Sequence, residues 1–122
     1  MKLGEIYELF IKKGIDADPR GRKEIEKGLK KTKEAYEKLD KKKKEEFDTG
    51  KTTNPFADTR ILYGDSKTEV KTVLVGIDME TPEILLADRL NEKGYKLDLV
   101  IAHHPEGRPY AELSEVMNIN VD

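Results

Sequence analysis

Apolar residues are spaced in two different ways along this chain, and the change of period falls near residue 55. In the first segment Leu3, Ile6, Tyr7, Phe10 and Ile11 recur at i, i+3, i+4, i+7 and i+8, the stripe of an amphipathic helix that lays one face on something apolar. Gly14 is expected to end it. Residues 15–21, with Asp16, Asp18, Pro19 and Gly21, then read as a loop. Over 22–46 the apolar positions thin to Ile25, Leu29, Tyr36 and Leu39, with Phe47 just beyond, which predicts one long, mostly solvated helix. Glu26 with Lys30 and Glu34 with Lys38 have the favourable i, i+4 order, each pair worth about 0.2–0.5 kcal/mol.

After the breaker-rich stretch 48–55, the runs 59–63 and 70–77 shorten to strand length. Turn residues at 64–68 separate them, so an antiparallel hairpin with both strands largely buried is expected. Thr81 as N-cap, Pro82 at the first helical position and Glu83 in the first turn start a helix carrying Ile84, Leu85, Ala87 and Leu90. Gly94 closes it. Residues 97–102 are apolar apart from Asp98, so 70–102 forms a β-α-β unit whose strands should be parallel and whose crossover should be right-handed. A further helix is expected over 109–117, with Leu113, Val116 and Met117 on one side.

These elements predict an α/β fold in one domain, 1–122. An N-terminal helical pair (1–47) precedes a mixed sheet with a β-α-β unit and the start of a further helix (58–122). The last helix barely finishes before Asp122, so the expectation is an incomplete layered αβα domain, the N-terminal part of a longer one.

Composition narrows the function classes. Lys and Arg number 23 against 25 Asp and Glu, a formal net charge of −2, which provides no global field for nucleic acid. Residues 20–47 are the exception, with twelve basic against seven acidic residues. The lysines at 41–44 surround a helix axis and read as a solvated, dipole-favoured helix end. The absence of cysteine excludes disulfides, thiolate nucleophiles and cysteine zinc sites. No run approaches the roughly 18 apolar residues of a membrane span and no signal peptide opens the chain, so a cytoplasmic protein without a membrane partner is expected. The glycines fit neither phosphate-loop nor dinucleotide spacing, and Ser66 and Ser114 sit in no nucleophile motif.

The chemistry concentrates in His103 and His104, the only histidines. They follow an apolar strand at the carboxyl edge where open α/β sheets bind ligands. Neutral imidazole suits zinc, iron, manganese or nickel. In an extended chain neighbouring side chains point to opposite faces, and Pro105 favours an extended His104, so splayed rings serving two ions about 3.5–4 Å apart are expected. The same pair also reads as a solvated turn. Asp78, at the end of the preceding strand, is a candidate acceptor that orients an imidazole, with a cap or turn role as its alternative. Glu106 is a candidate ligand or general base, and Arg108 a candidate contact for phosphate or carboxylate.

Residues 72–107, with the runs Thr-Val-Leu-Val-Gly-Ile-Asp, Thr-Pro-Glu-Ile-Leu-Leu-Ala-Asp-Arg-Leu and Leu-Asp-Leu-Val-Ile-Ala-His-His-Pro-Glu-Gly, resemble the N-terminal half of the NGG-one-interacting-factor-three-like family. That family is also labelled GTP cyclohydrolase I type two-like. The resemblance extends to Asp58-Thr59-Arg60-Ile61-Leu62-Tyr63-Gly64-Asp65 and covers about half of the chain. It implies a dinuclear metal centre in an α/β fold, with the family's paired histidines falling on His103 and His104, and ring-like homo-oligomers. The family's remaining ligands, an aspartate and a later His and Glu, have no counterparts here. The function this implies is metal-dependent hydrolysis of a small phosphorylated or nucleotide-like compound, incomplete in this chain. The alternative is a non-catalytic interaction or regulatory module in which Tyr7, Phe10, Tyr36 and Leu39 form the docking seam; nucleic-acid binding through the lysine-rich helix is a third and weaker reading.

Overall fold

The computed structural model describes residues 1–107 and Tyr110. The helix expected over 109–117 lies outside the described residues. Helix α1 (Leu3–Ala17), α2 (Arg22–Glu37), α3 (Lys41–Glu46), a 3-10 turn (Thr49–Thr52), strand β1 (Val73–Gly76), α4 (Thr81–Glu92) and strand β2 (Leu99–Ala102) follow in that order. The fold is α/β, an N-terminal helical pair ahead of a small parallel sheet. The chain forms two compact units, Leu9–Ala57 in one and Met1–Glu8 with Asp58–Asp122 in the other.

In the helical unit, α1 runs through Gly14 instead of ending there. A Cβ at that position would meet the Phe56 ring at 2.7 and 2.9 Å; glycine is therefore a packing choice that admits an aromatic ring, not a terminator. The turn after α1 is held by Asp18, whose carboxylate accepts from the Arg20 backbone N–H at 2.9 Å and from its guanidinium at 2.9 and 2.7 Å. The bonds from the Arg20 side chain, with the backbone bond behind them, hold the Asp18 carboxyl below the usual carboxylate range.

The long helix expected over 22–46 is two helices. Asp40 is the N-cap of α3, its side chain accepting from the Lys43 N–H at 2.9 Å, and an Asp offered a capping geometry competes with helix continuation. Lys44 reaches back to the Glu37 carbonyl at 2.9 Å and lies 5.5 Å from the Tyr36 ring centre. Tyr36 packs on Phe47 with centroids 5.0 Å apart, so the break folds the apolar seam onto itself. The ion pairs on α2 also differ from the expectation: Lys27 meets Glu24 at 3.3 Å and Lys30 meets Glu34 at 3.9 Å. All four groups are exposed, and pairs of this kind contribute little.

In the second unit, among the described residues, 59–63 forms no strand, and the expected hairpin is absent. The N-terminus pairs instead with the expected turn and with the first residue of the second expected strand. Leu3 and Gly4 N–H groups donate to the carbonyls of Thr68 and Ser66 at 2.9 and 2.8 Å, and Val70 N–H donates to the Met1 carbonyl at 2.8 Å. Lys2 and Glu69 make an antiparallel bridge there. With no partner strand, Leu62 and Tyr63 are exposed.

Strands β1 and β2 pair parallel in the register Val73–Leu99 to Gly76–Ala102, as the β-α-β pattern requires. Asp98 sets the start of that register. Its carboxylate accepts from the Lys71 and Thr72 N–H groups at 2.8 and 3.0 Å, while its own N–H donates to the Thr72 carbonyl at 2.9 Å. The cap of α4 falls one residue earlier than the sequence suggests: Glu80 is the N-cap, and the Glu83 side chain accepts from its N–H at 3.0 Å. Gly94 follows the C-cap Lys93 at φ +89. Tyr95 N–H to the Leu90 carbonyl at 3.1 Å and Gly94 N–H to the Asn91 carbonyl at 2.9 Å complete a Schellman motif.

Burial is sparse. Leu3, Ile25, Val70 and Ala87 are the buried apolar side chains among the described residues. The strands are less covered than expected: Val73 and Val75 lie on an exposed face of β1, Ile77 just beyond it is exposed too, and Ile84, Leu85 and Leu86 of α4 are each about half exposed. Parallel sheets are ordinarily covered on both faces, so this is a β-α-β unit with one layer open.

Two substitutions separate packing from helix propensity. A Cβ added at Gly28, in the middle of α2, would meet no heavy atom within 4 Å, so Gly28→Ala should stabilise by about 0.8–1 kcal/mol. Gly14→Ala gains the same propensity but overpacks Phe56, and a net loss of about 1 kcal/mol is expected; thermal unfolding of both variants checks the opposite signs. Separately, the bonds from Thr72 and Lys71 lower the Asp98 pKa from 3.8. Its stabilising contribution is therefore complete above 3.8 and is lost as pH falls through the lower folded value. Acid unfolding followed by circular dichroism should lose part of its steepness in that window in Asp98→Ala.

Candidate functional site

The β1–β2 ladder continues past the strands and places the histidines. His103 N–H donates to the Gly76 carbonyl at 2.9 Å, and His104 N–H donates to the Ile77 carbonyl at 2.8 Å. Both residues are thus pinned by their backbone at the carboxyl edge of the sheet, although both are exposed to solvent. Gly76 lies close under the next turn, where a Cβ would stand 2.7 Å from the movable Met79 methyl. That turn carries Asp78.

The structure brings Asp78 to His104, with Oδ1 and Nδ1 2.8 Å apart. The helix cap falls to Glu80, which leaves the Asp78 carboxylate to the imidazole. A carboxylate can only accept, so the Nδ1 of a neutral His104 carries the proton and Nε2 keeps its lone pair. Both side chains are more than half exposed, and an exposed pair of this kind is worth about 0–1 kcal/mol. That is too little to hold the sheet together. Its consequence is orientation: a tethered ring presents one defined nitrogen to anything that approaches.

The chain bends at His103 and His104 instead of staying extended. The rings accordingly lie side by side, centroids 5.3 Å apart and planes tilted by 33°. This differs from the splayed pair expected of a strand. Two neighbouring imidazoles at that separation can address a single cation, whereas opposite-facing ones cannot.

Glu106 is half-buried in the loop beyond Pro105, and among the described residues it belongs to no acidic or imidazole cluster with the histidines and Asp78. No group of three or more His, Asp or Glu among those residues is gathered closely enough to hold a metal ion. Among the described residues the donors brought to this edge are therefore two imidazoles, one of them held by Asp78. Arg108 lies outside the described residues. Of the proposed docking seam, Phe10 is exposed while Tyr7, Tyr36 and Leu39 are half-buried, and Tyr36 is committed to Phe47. No helix among the described residues is long and apolar enough to cross a membrane.

Asp98 is the residue whose role the sequence hides. As the single polar interruption of an apolar strand it is visible there as an anomaly, but only the backbone N–H groups of Lys71 and Thr72 reveal what it holds. No family model matches the chain, and neither a curated protein nor a solved structure matches it.

The tautomer is directly measurable. In nitrogen-15 NMR at a pH where the imidazoles are neutral, His104 should show a protonated Nδ1 and an unprotonated Nε2. Asp78→Ala should return it to the mixture in which the Nε2-protonated form predominates, with the backbone spectrum otherwise preserved.

Proposed function

We propose that this chain is a metal-binding α/β protein whose site lies at the carboxyl edge of β1 and β2. His103 and His104 are its ligands, and Asp78 is the carboxylate behind His104. The observation that carries this reading is the 2.8 Å contact between Asp78 Oδ1 and His104 Nδ1 next to a second imidazole, an arrangement that orients the ring and leaves Nε2 available. The run His-His-Pro and its resemblance to a dinuclear metal family support the same assignment. The ion is a divalent metal of the zinc, iron, manganese or nickel group, all of which accept imidazole.

The catalytic extension of this reading is hydrolysis of a small phosphorylated or nucleotide-like compound, with Glu106 as the general base. A metal held there with one coordination position left open would supply an activated water and polarise the substrate. Two imidazoles do not make that centre by themselves. The contribution of this chain is to hold two nitrogens on a rigid backbone ladder.

Calorimetric titration with zinc and manganese, with bound metal counted by elemental analysis, tests the ligand assignment. Wild-type protein should bind, the His103→Ala, His104→Ala double variant should show no specific uptake, and Asp78→Ala should bind about 10–100-fold more weakly. Equal metal content in wild type and double variant overturns it.

A further inference from the structure

We propose that the helical unit, Leu9–Ala57, binds the phosphate backbone of nucleic acid through a ridge of lysines on α2, without reading base sequence. The inference stands apart from the metal-binding reading and concerns the other unit.

Charge partition is the first argument. The near-neutral total hides two units of opposite sign: residues 9–57 carry 15 basic and 10 acidic side chains, and the remainder of the chain carries 8 basic and 15 acidic. Solubility asks for charge but not for its segregation by sign. A positive unit of this kind attracts polyanions, and its acidic counterpart does not compete for them.

Placement is the second. Ile25 is buried and Leu29 and Tyr36 are half-buried, which fixes the inward side of α2. At 3.6 residues per turn the opposite side carries Lys23, Lys27, Lys30, Lys31 and Lys38, with Glu34 the one acid among them. All five lysines are exposed, and at 1.5 Å per residue they line about 22 Å of helix.

These lysines are also weakly held. Lys23, Lys31 and Lys38 make no ion pair among the described residues. Lys27 and Lys30 meet only Glu24 and Glu34, in exposed pairs that contribute little, so a phosphate can displace either glutamate. The break at Asp40 places Lys41 and Lys42 at the start of α3, the end where a helix dipole disfavours cations. The dipole-favoured helix end expected for the lysine run therefore does not account for these two.

The contact is one of charge alone. A lipid surface takes up a basic helix by burying the apolar side opposite its lysines, and here that side is occupied within the unit, with Ile25 buried and Tyr36 packed on Phe47. Duplex DNA offers one negative charge per about 1.7 Å of its axis, a density that flexible lysine point charges meet without fixed geometry. Such phosphate contacts position a nucleic acid and carry no sequence information.

Fluorescence anisotropy of the full chain with a labelled DNA duplex of scrambled sequence tests the ridge. The logarithm of affinity should fall linearly with that of salt concentration at a slope of about −4, so that binding weakens about 200-fold between about 50 and 200 mM salt. The Lys23→Gln, Lys31→Gln, Lys38→Gln triple variant, checked for folding by circular dichroism, should bind more weakly and lose about 3 from that slope. A Lys67→Gln, Lys71→Gln, Lys93→Gln variant removes the same charge from the other unit and should leave the slope unchanged. No binding at the lower salt, or equal losses in the two triple variants, overturns the proposal. Poly-glutamate or phosphatidylserine vesicles that compete as well as unlabelled duplex overturn nucleic acid as the ligand.

Discussion

The parallel ladder between β1 and β2 is the constraint on which the rest of the second unit depends. It begins where Asp98 ties two backbone N–H groups of the opposite strand, runs through four paired residues, and ends where the Gly76 and Ile77 carbonyls receive His103 and His104. Each histidine owes its place to main-chain hydrogen bonds and not to side-chain burial. Exposed side chains on a fixed backbone combine chemical access with positional precision, which is what a ligand mount needs.

The parts of this architecture that depend on local chemistry are legible in the sequence. Proline and glutamate at the start of α4 and Gly94 at its end act within a few residues of themselves, so they read correctly to within one position. The β-α-β order follows from period alone. The failures all involve partners distant in sequence or choices between local options. Gly14 has the character of a stop because nothing nearby discloses Phe56, 42 positions later. Residues 59–63 have the composition of a strand, yet residues 1–4 claim the pairing positions around Glu69. Asp40 could continue a helix or cap a new one, and periodicity does not distinguish these.

The candidate site divides in the same way. His103, His104 and Asp78 are identifiable from residue type and from their positions at strand ends, since both ends fall at one edge of a parallel pair. Which imidazole Asp78 meets depends on a bend at two residues, and the rule of alternating side chains holds only while the chain stays extended. That bend also turns a pair expected to face apart into neighbours. Glu106 is identifiable by residue type alone, because a loop beyond a strand end is not bound by the register that fixes the residues before it.

The closed ends of α4 affect how this unit reaches its fold. A segment bracketed by a reciprocal acid cap and a Schellman turn has its limits written locally, so it is biased toward helix before any sheet exists. Val73 and Leu99 are far apart along the chain, yet a rod of twelve residues already spans much of that separation, and the entropy of bringing the strands together falls accordingly. The connecting helix thus acts as a kinetic jig: strand association becomes a short-range search, and the ladder that carries the histidines can form early.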